Sequence, residues 1–81
     1  MASGTYTNKN IYNTVRMNIK KYRKAAGMTQ QELADASGFS HGYIREIESI
    51  TMASTFSLDA VEKIANGLNI DFKYLFEEND N

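Results

Sequence analysis

Between Gln30 and Ser49 two helical patterns are separated by a corner of only three residues, Gly38, Phe39 and Ser40. The segment reads QQELADASGFSHGYIREIES. Leu33 and Ala34 give the first pattern its apolar side, and Phe39, Ile44 and Ile47 give the second one. Thr29 stands at an N-cap position with Glu32 three residues on, the spacing of a capping box, in which two orphan backbone N–H groups are satisfied reciprocally. Gly38 supplies the positive φ that ends the first helix. Ser40 then caps the second, since its side-chain oxygen can accept from an N–H of the first turn. A small residue, Ala34, faces the corner. The apolar faces of two such short helices need other helices to cover them.

The flanking sequence provides these. Ile11, Val15, Ile19, Tyr22 and Ala26 recur at spacings of three and four, so a first helix is expected from about Asn10 to Ala26, ended by Gly27. Helix 2 is expected over Gln30–Ser37 and helix 3 from His41 to about Ser49. Residues 49–56, SITMASTF, carry no clear period and read as a loop. Ser57 caps helix 4, about Leu58 to Gly67, with Leu58, Val61, Ile64, Ala65 and Leu68 inward. Asp71 caps a short helix 5, with Phe72, Leu75 and Phe76 inward. The expected fold is all-α, a compact five-helix bundle with connections of two to eight residues. Residues 1–9 are expected as a flexible tail, 10–76 as the domain and 77–81 as an acidic, frayed tail.

An 81-residue chain makes one domain. It has no Cys, so neither a disulfide framework nor a thiolate metal site is open to it. No apolar run reaches the roughly 18 residues of a membrane span, and the polar start MASGTYTNKN is no signal peptide. A cytoplasmic protein is expected. Catalysis finds little support: there is one His, and Ser40 beside His41 lacks an orienting acid in the pattern of a triad. No metal, phosphate-loop or dinucleotide motif is present, so no cofactor is expected.

The corner between helices 2 and 3 is a helix-turn-helix arrangement, which lays its second helix in the major groove of DNA. The formal net charge of −1 argues against a nucleic-acid binder, whose usual footprint is basic. The charge is segregated, however. Residues 1–28 hold six basic residues, Lys9, Arg16, Lys20, Lys21, Arg23 and Lys24, and no acid, while residues 29–81 hold three basic and ten acidic residues. Phosphates respond to charge within a Debye length of roughly 8–10 Å, so one face can attract them while the total is near zero.

From Val15 to Phe76 the chain resembles the lambda-repressor-like, Cro-type (XRE-type) helix-turn-helix family. The resemblance rests on Ile19-Lys20-Lys21-Tyr22-Arg23, Gly27-Met28-Thr29-Gln30, Glu32-Leu33-Ala34, Gly38-Phe39-Ser40, Tyr43-Ile44, Ile47-Glu48 and Leu58 through Leu75-Phe76. It implies a domain that binds operator DNA, commonly as a homodimer on a near-palindrome. Phage repressors, mobile-element repressors, restriction–modification controllers and antitoxins belong to this family. One departure is Ile50, which stands where the family usually has Gly, ahead of a loop about two residues longer than usual.

The candidate DNA-binding residues are Thr29, Gln30, Ser40, His41, Gly42, Tyr43, Arg45 and Glu46. The start of helix 2 offers orphan N–H donors at a positive dipole end, which suits a phosphate. The resemblance adds the Gln30 side chain to that contact and the Tyr43 hydroxyl to another. His41 and Arg45 lie four apart on one face. By resemblance His41, Gly42, Arg45 and Glu46 hold the base-reading positions. Arg45 can pair with guanine O6 and N7, or it can remain a solvated or phosphate-bound Arg. Glu46 can accept from cytosine N4, repel phosphate or pair with Arg45. The resemblance also implies a buried ion pair of Arg23 with Glu48; the alternative is two solvated residues. The expected function is a sequence-specific transcriptional regulator of double-stranded DNA, a repressor or controller. The rival is a protein-interaction module or antitoxin, supported by the acidic total, Gly42 and Glu46. Tyr74 and Ile70 are candidates for a homodimer surface.

Overall fold

Four α-helices and two short 3-10 turns follow one another along the chain, in a computed structural model that describes residues 10–52 and 54–78. The tail expected over 1–9 and the end of the acidic tail, 79–81, lie outside the described residues. The helices are α1 (Ile11–Ala25), α2 (Gln30–Ser37), α3 (His41–Glu48) and α4 (Leu58–Leu68). The 3-10 turns are Ile50–Met52 and Phe72–Phe76. The fold is therefore all-helical, but the fifth helix expected from the sequence is a 3-10 turn. Asp71 does cap it, accepting from the Lys73 N–H. Five residues hold too few i→i−4 bonds to repay an α-helical nucleus, so the tighter turn prevails.

Each start signal lies where the side-chain chemistry puts it. Asn10, Thr29, Ser40 and Ser57 cap the four helices with side-chain oxygens. The capping box is complete: Glu32 N–H donates to Thr29 Oγ1 at 3.0 Å and Thr29 N–H to Glu32 Oε1 at 2.8 Å. Gly38 takes φ 81°, and its N–H and that of Phe39 both return to the Ala34 carbonyl. The corner between α2 and α3 is thereby closed.

The core gathers one stripe from every element. Val15 and Ile19 from α1 meet Leu33 and Ala34 from α2, Ile44 and Ile47 from α3, and Val61, Ile64, Ala65 and Leu68 from α4, with Leu75 closing the base. α4 runs one residue past Gly67 and ends on Asn69 in the left-handed conformation, φ 59°. Gly67 serves close packing instead. A Cβ there would stand 3.2 Å from Cβ and N of Ser37, so a side chain at that position would require α2 to give way by a few tenths of an ångström.

Four residues expected inside are exposed, Ala26 among them, because α1 ends at Ala25 and Ala26 is only its C-cap. Ile11, Leu58 and Phe72 are 46%, 68% and 43% accessible. Ile11 and Leu58 occupy the first turns of their helices, where they flank an open apolar groove with Phe56 and Phe76, and no further element among the described residues lies over them. Phe72 stands at the start of its turn and meets Phe76 edge to face, ring centres 5.9 Å apart.

Candidate nucleic-acid interface

Two arginines of α1 hold the far end of α3. Arg23 Nε donates to Glu48 Oε2 at 2.6 Å and Arg23 Nη2 to Glu48 Oε1 at 3.0 Å. Both side chains are buried, and Arg23 Nη1 also donates to the Met28 carbonyl at 2.8 Å. A bidentate guanidinium–carboxylate pair fixes direction as well as distance. Seven residues earlier, Arg16 Nη1 donates to the Ile47 carbonyl at 3.1 Å. That carbonyl belongs to the last turn of α3, which lacks an intrahelical donor, and a cation there also complements the helix dipole. The Arg16 guanidinium lies 5.2 Å from the ring centre of Phe56, and its Nε is buried with no acceptor among the described residues.

Arg16 is a residue that sequence reasoning missed, together with Asn18. Asn18 Nδ2 donates to the carbonyls of Leu75 and Glu77, at 2.8 and 2.7 Å, tying the last turn to α1. The heptad spacing of Arg16 and Arg23, on the same side as Ile19, is the signal that could have placed both inward. Their burial also changes the charge argument. Two of the six N-terminal cations are internal, Lys9 lies outside the described residues, and Lys20, Lys21 and Lys24 remain exposed on α1.

The pair continues toward α2. Gln30 Nε2 donates to Glu48 Oε1 at 3.1 Å, and Gln30 Oε1 lies 3.4 Å from His41 Nε2. The start of α2, the start of α3 and the end of α3 are thus joined by one polar chain. Within it His41 turns back toward α2 and is half-buried, whereas Arg45 is exposed and makes no ion pair among the described residues. The N–H groups of Gln30 and Gln31 have no acceptor among the described residues.

Tyr43 stacks obliquely on Phe39, ring centres 4.6 Å apart. Burial, and then the Glu46 carboxylate one turn on, push its hydroxyl above the usual tyrosine pKa, so it stays a donor at neutral pH. Thr29 and Ser40 keep their caps, both exposed. Gly42, Arg45, Glu46, Ser49 and Met52 together border an open notch on the outer side of α3. The turn Ile50–Met52 therefore flanks that side without covering it.

A helix-turn-helix family model matches residues 19–75 of the chain. Among solved structures, the wild-type restriction–modification controller protein C.Esp1396I is 30% identical with a TM-score of 0.74, over 85% of this chain and 87% of that one. The controller protein C.AhdI from Aeromonas hydrophila is 28% identical with a TM-score of 0.72, over 80% and 96%. A hypothetical transcription factor, NHTF, from Neisseria shares the fold at 20% identity, with a TM-score of 0.79 over 96% and 87%. No curated protein matches the chain.

The chain belongs to the helix-turn-helix family, of the Cro/XRE type. It is a DNA-binding transcriptional regulator. Members of this family bind double-stranded DNA. No helix among the described residues is long and apolar enough to cross a membrane.

Proposed function

We propose that this chain is a sequence-specific operator-binding protein, a repressor or controller of an operon, acting in the cytoplasm as a homodimer through the unit 10–76. The controller role is the one that C.Esp1396I and C.AhdI carry in their names. The observation that carries the reading is the polar chain Arg23–Glu48–Gln30–His41, which anchors both helices of the motif while Arg45 and Gly42 stay open to solvent. A reading helix must be rigid to discriminate, because a base contact out of place by an ångström loses its hydrogen bonds.

In this reading the free N–H groups of Gln30 and Gln31 hold one phosphate at the start of α2, beside Thr29. A Gln amide has two N–H donors, so Gln30 can give one to Glu48 and the second to the same phosphate. Tyr43 donates its hydroxyl to another phosphate, and Ser40 steadies the start of α3. Arg45 reads a guanine edge, with His41, Gly42 and Glu46 along the same groove. Two copies place α3 in successive major grooves about 34–36 Å apart. The exposed Phe72 and Tyr74 of the last turn, beside Ile70, offer apolar surface for the two-fold contact.

A gel shift with the promoter fragment upstream of its own gene tests this. Retention at physiological salt, falling steeply as salt rises, supports it. A flat salt response contradicts it. The internal use of Arg16 and Arg23 favours a second reading, in which a protein partner such as a toxin is the main ligand and DNA binding is weak. Failure to retain the fragment, with a stable hetero-complex in a pull-down, supports that alternative.

A further inference from the structure

No contact among the described residues requires glycine at position 42. It lies in the first turn of α3, where glycine is the poorest helix former short of proline. An added Cβ would meet nothing within 4 Å among the described residues, so none of them needs the space. The gap opens instead onto the notch bordered by Arg45, Glu46, Ser49 and Met52. Met52 is 56% exposed, a large apolar side chain held at the rim by its turn, which a hydrogen bond between the Ser49 and Thr51 hydroxyls braces at 3.0 Å.

Resting on the operator-binding reading, we propose that this notch takes the C5-methyl group of a thymine beside the base pair read by Arg45, with Gly42 giving room and Met52 the apolar wall. The chemistry of the border selects a base edge over the backbone. One guanidinium and one carboxylate nearly cancel, so the notch does not favour a phosphate, and Glu46 can accept from the amino group of a neighbouring cytosine. In the major groove the methyl group marks thymine, and apolar contact is how it is read. Met52 lies outside α3, on the turn where the chain departs from its family, so it adds a specificity residue from the loop.

The test uses the full chain and a duplex that it selects from a random library. Each thymine of that duplex is replaced singly by deoxyuridine, which lacks only the methyl group. One position per half-site should lose about fourfold in affinity, the value of one buried methyl-sized group. Gly42→Ala fills the gap and Met52→Ala removes the wall. Each should bind the thymine and uracil duplexes equally while remaining folded by circular dichroism. Sensitivity at no thymine, or discrimination that survives in both variants, overturns the proposal. Arg45→Ala separates the two levels: if it still abolishes preference for the selected duplex, only the thymine contact has failed. If preference survives Arg45→Ala, the operator-reading role of α3 falls and the thymine contact with it.

Discussion

Arg23 and Glu48 meet through two N–H···O bonds, 2.6 and 3.0 Å long, that join the last turn of α1 to the last residue of α3. Breaking a buried pair from one side strands the other charge, at a cost of about 3–5 kcal/mol. Arg23→Met and Glu48→Met should each lower unfolding stability by about that much in urea titrations, and the double variant should recover a large part of it. Unchanged unfolding in Arg23→Met would remove the structural role of the pair.

Arg16 looks in sequence like a phosphate-binding cation, yet its guanidinium serves the Ile47 carbonyl. Arg16→Met should therefore cost about 1–3 kcal/mol of stability, because a buried acceptor is orphaned. The salt dependence of DNA binding should keep its slope, since no phosphate contact is lost. A reduced slope with unaltered stability would place Arg16 on the DNA instead.

The helical elements, their caps and the corner at Gly38 were legible because they depend on local chemistry: a hydroxyl before a helix, a glycine after it, an apolar stripe along it. The stripes of α3 and α4 named Ile44, Ile47, Val61, Ile64 and Ala65 correctly. What escaped depends on three dimensions. Leu58 and Ile11 keep the period of a stripe, but period cannot show that no other described element covers the first turn. Arg16 and Asn18 are polar, and their burial follows from carbonyls at the ends of two elements, at Ile47 and Leu75, that lie far from them in sequence. The outer residues of α3 were named through a family resemblance, and the notch beside Met52 through neither route.

The two helical glycines of α3 and α4 should respond oppositely to alanine. At Gly67 the new methyl group meets the backbone of α2 at 3.2 Å, and overpacking of about 1–3 kcal/mol outweighs a helix-propensity gain of about 1 kcal/mol. At Gly42 the space is open, so Gly42→Ala should stabilise by up to about 1 kcal/mol. Thermal midpoints moving in the same direction would contradict this packing of α2 on α4.

Tyr43 should ionise above the ordinary value of 10.0, because burial and Glu46 disfavour its phenolate. Its folded pKa exceeds the unfolded one, so its contribution to stability is complete below pH 10 and is lost as pH rises through the folded pKa. Tyrosinate absorbance of the native protein should show a late-titrating hydroxyl that is missing from Tyr43→Phe. A titration identical in the two proteins would contradict the assignment.

The most direct measurement compares Arg45→Ala with the unaltered protein on two duplexes, one selected for tight binding and one of random sequence, at the same salt. A base-reading Arg45 is worth about 1–3 kcal/mol of discrimination, so the selected duplex should lose about five- to 150-fold and the random one little. Equal losses on both would show that Arg45 only grips the backbone and that the exposed side of α3 does not read sequence through it.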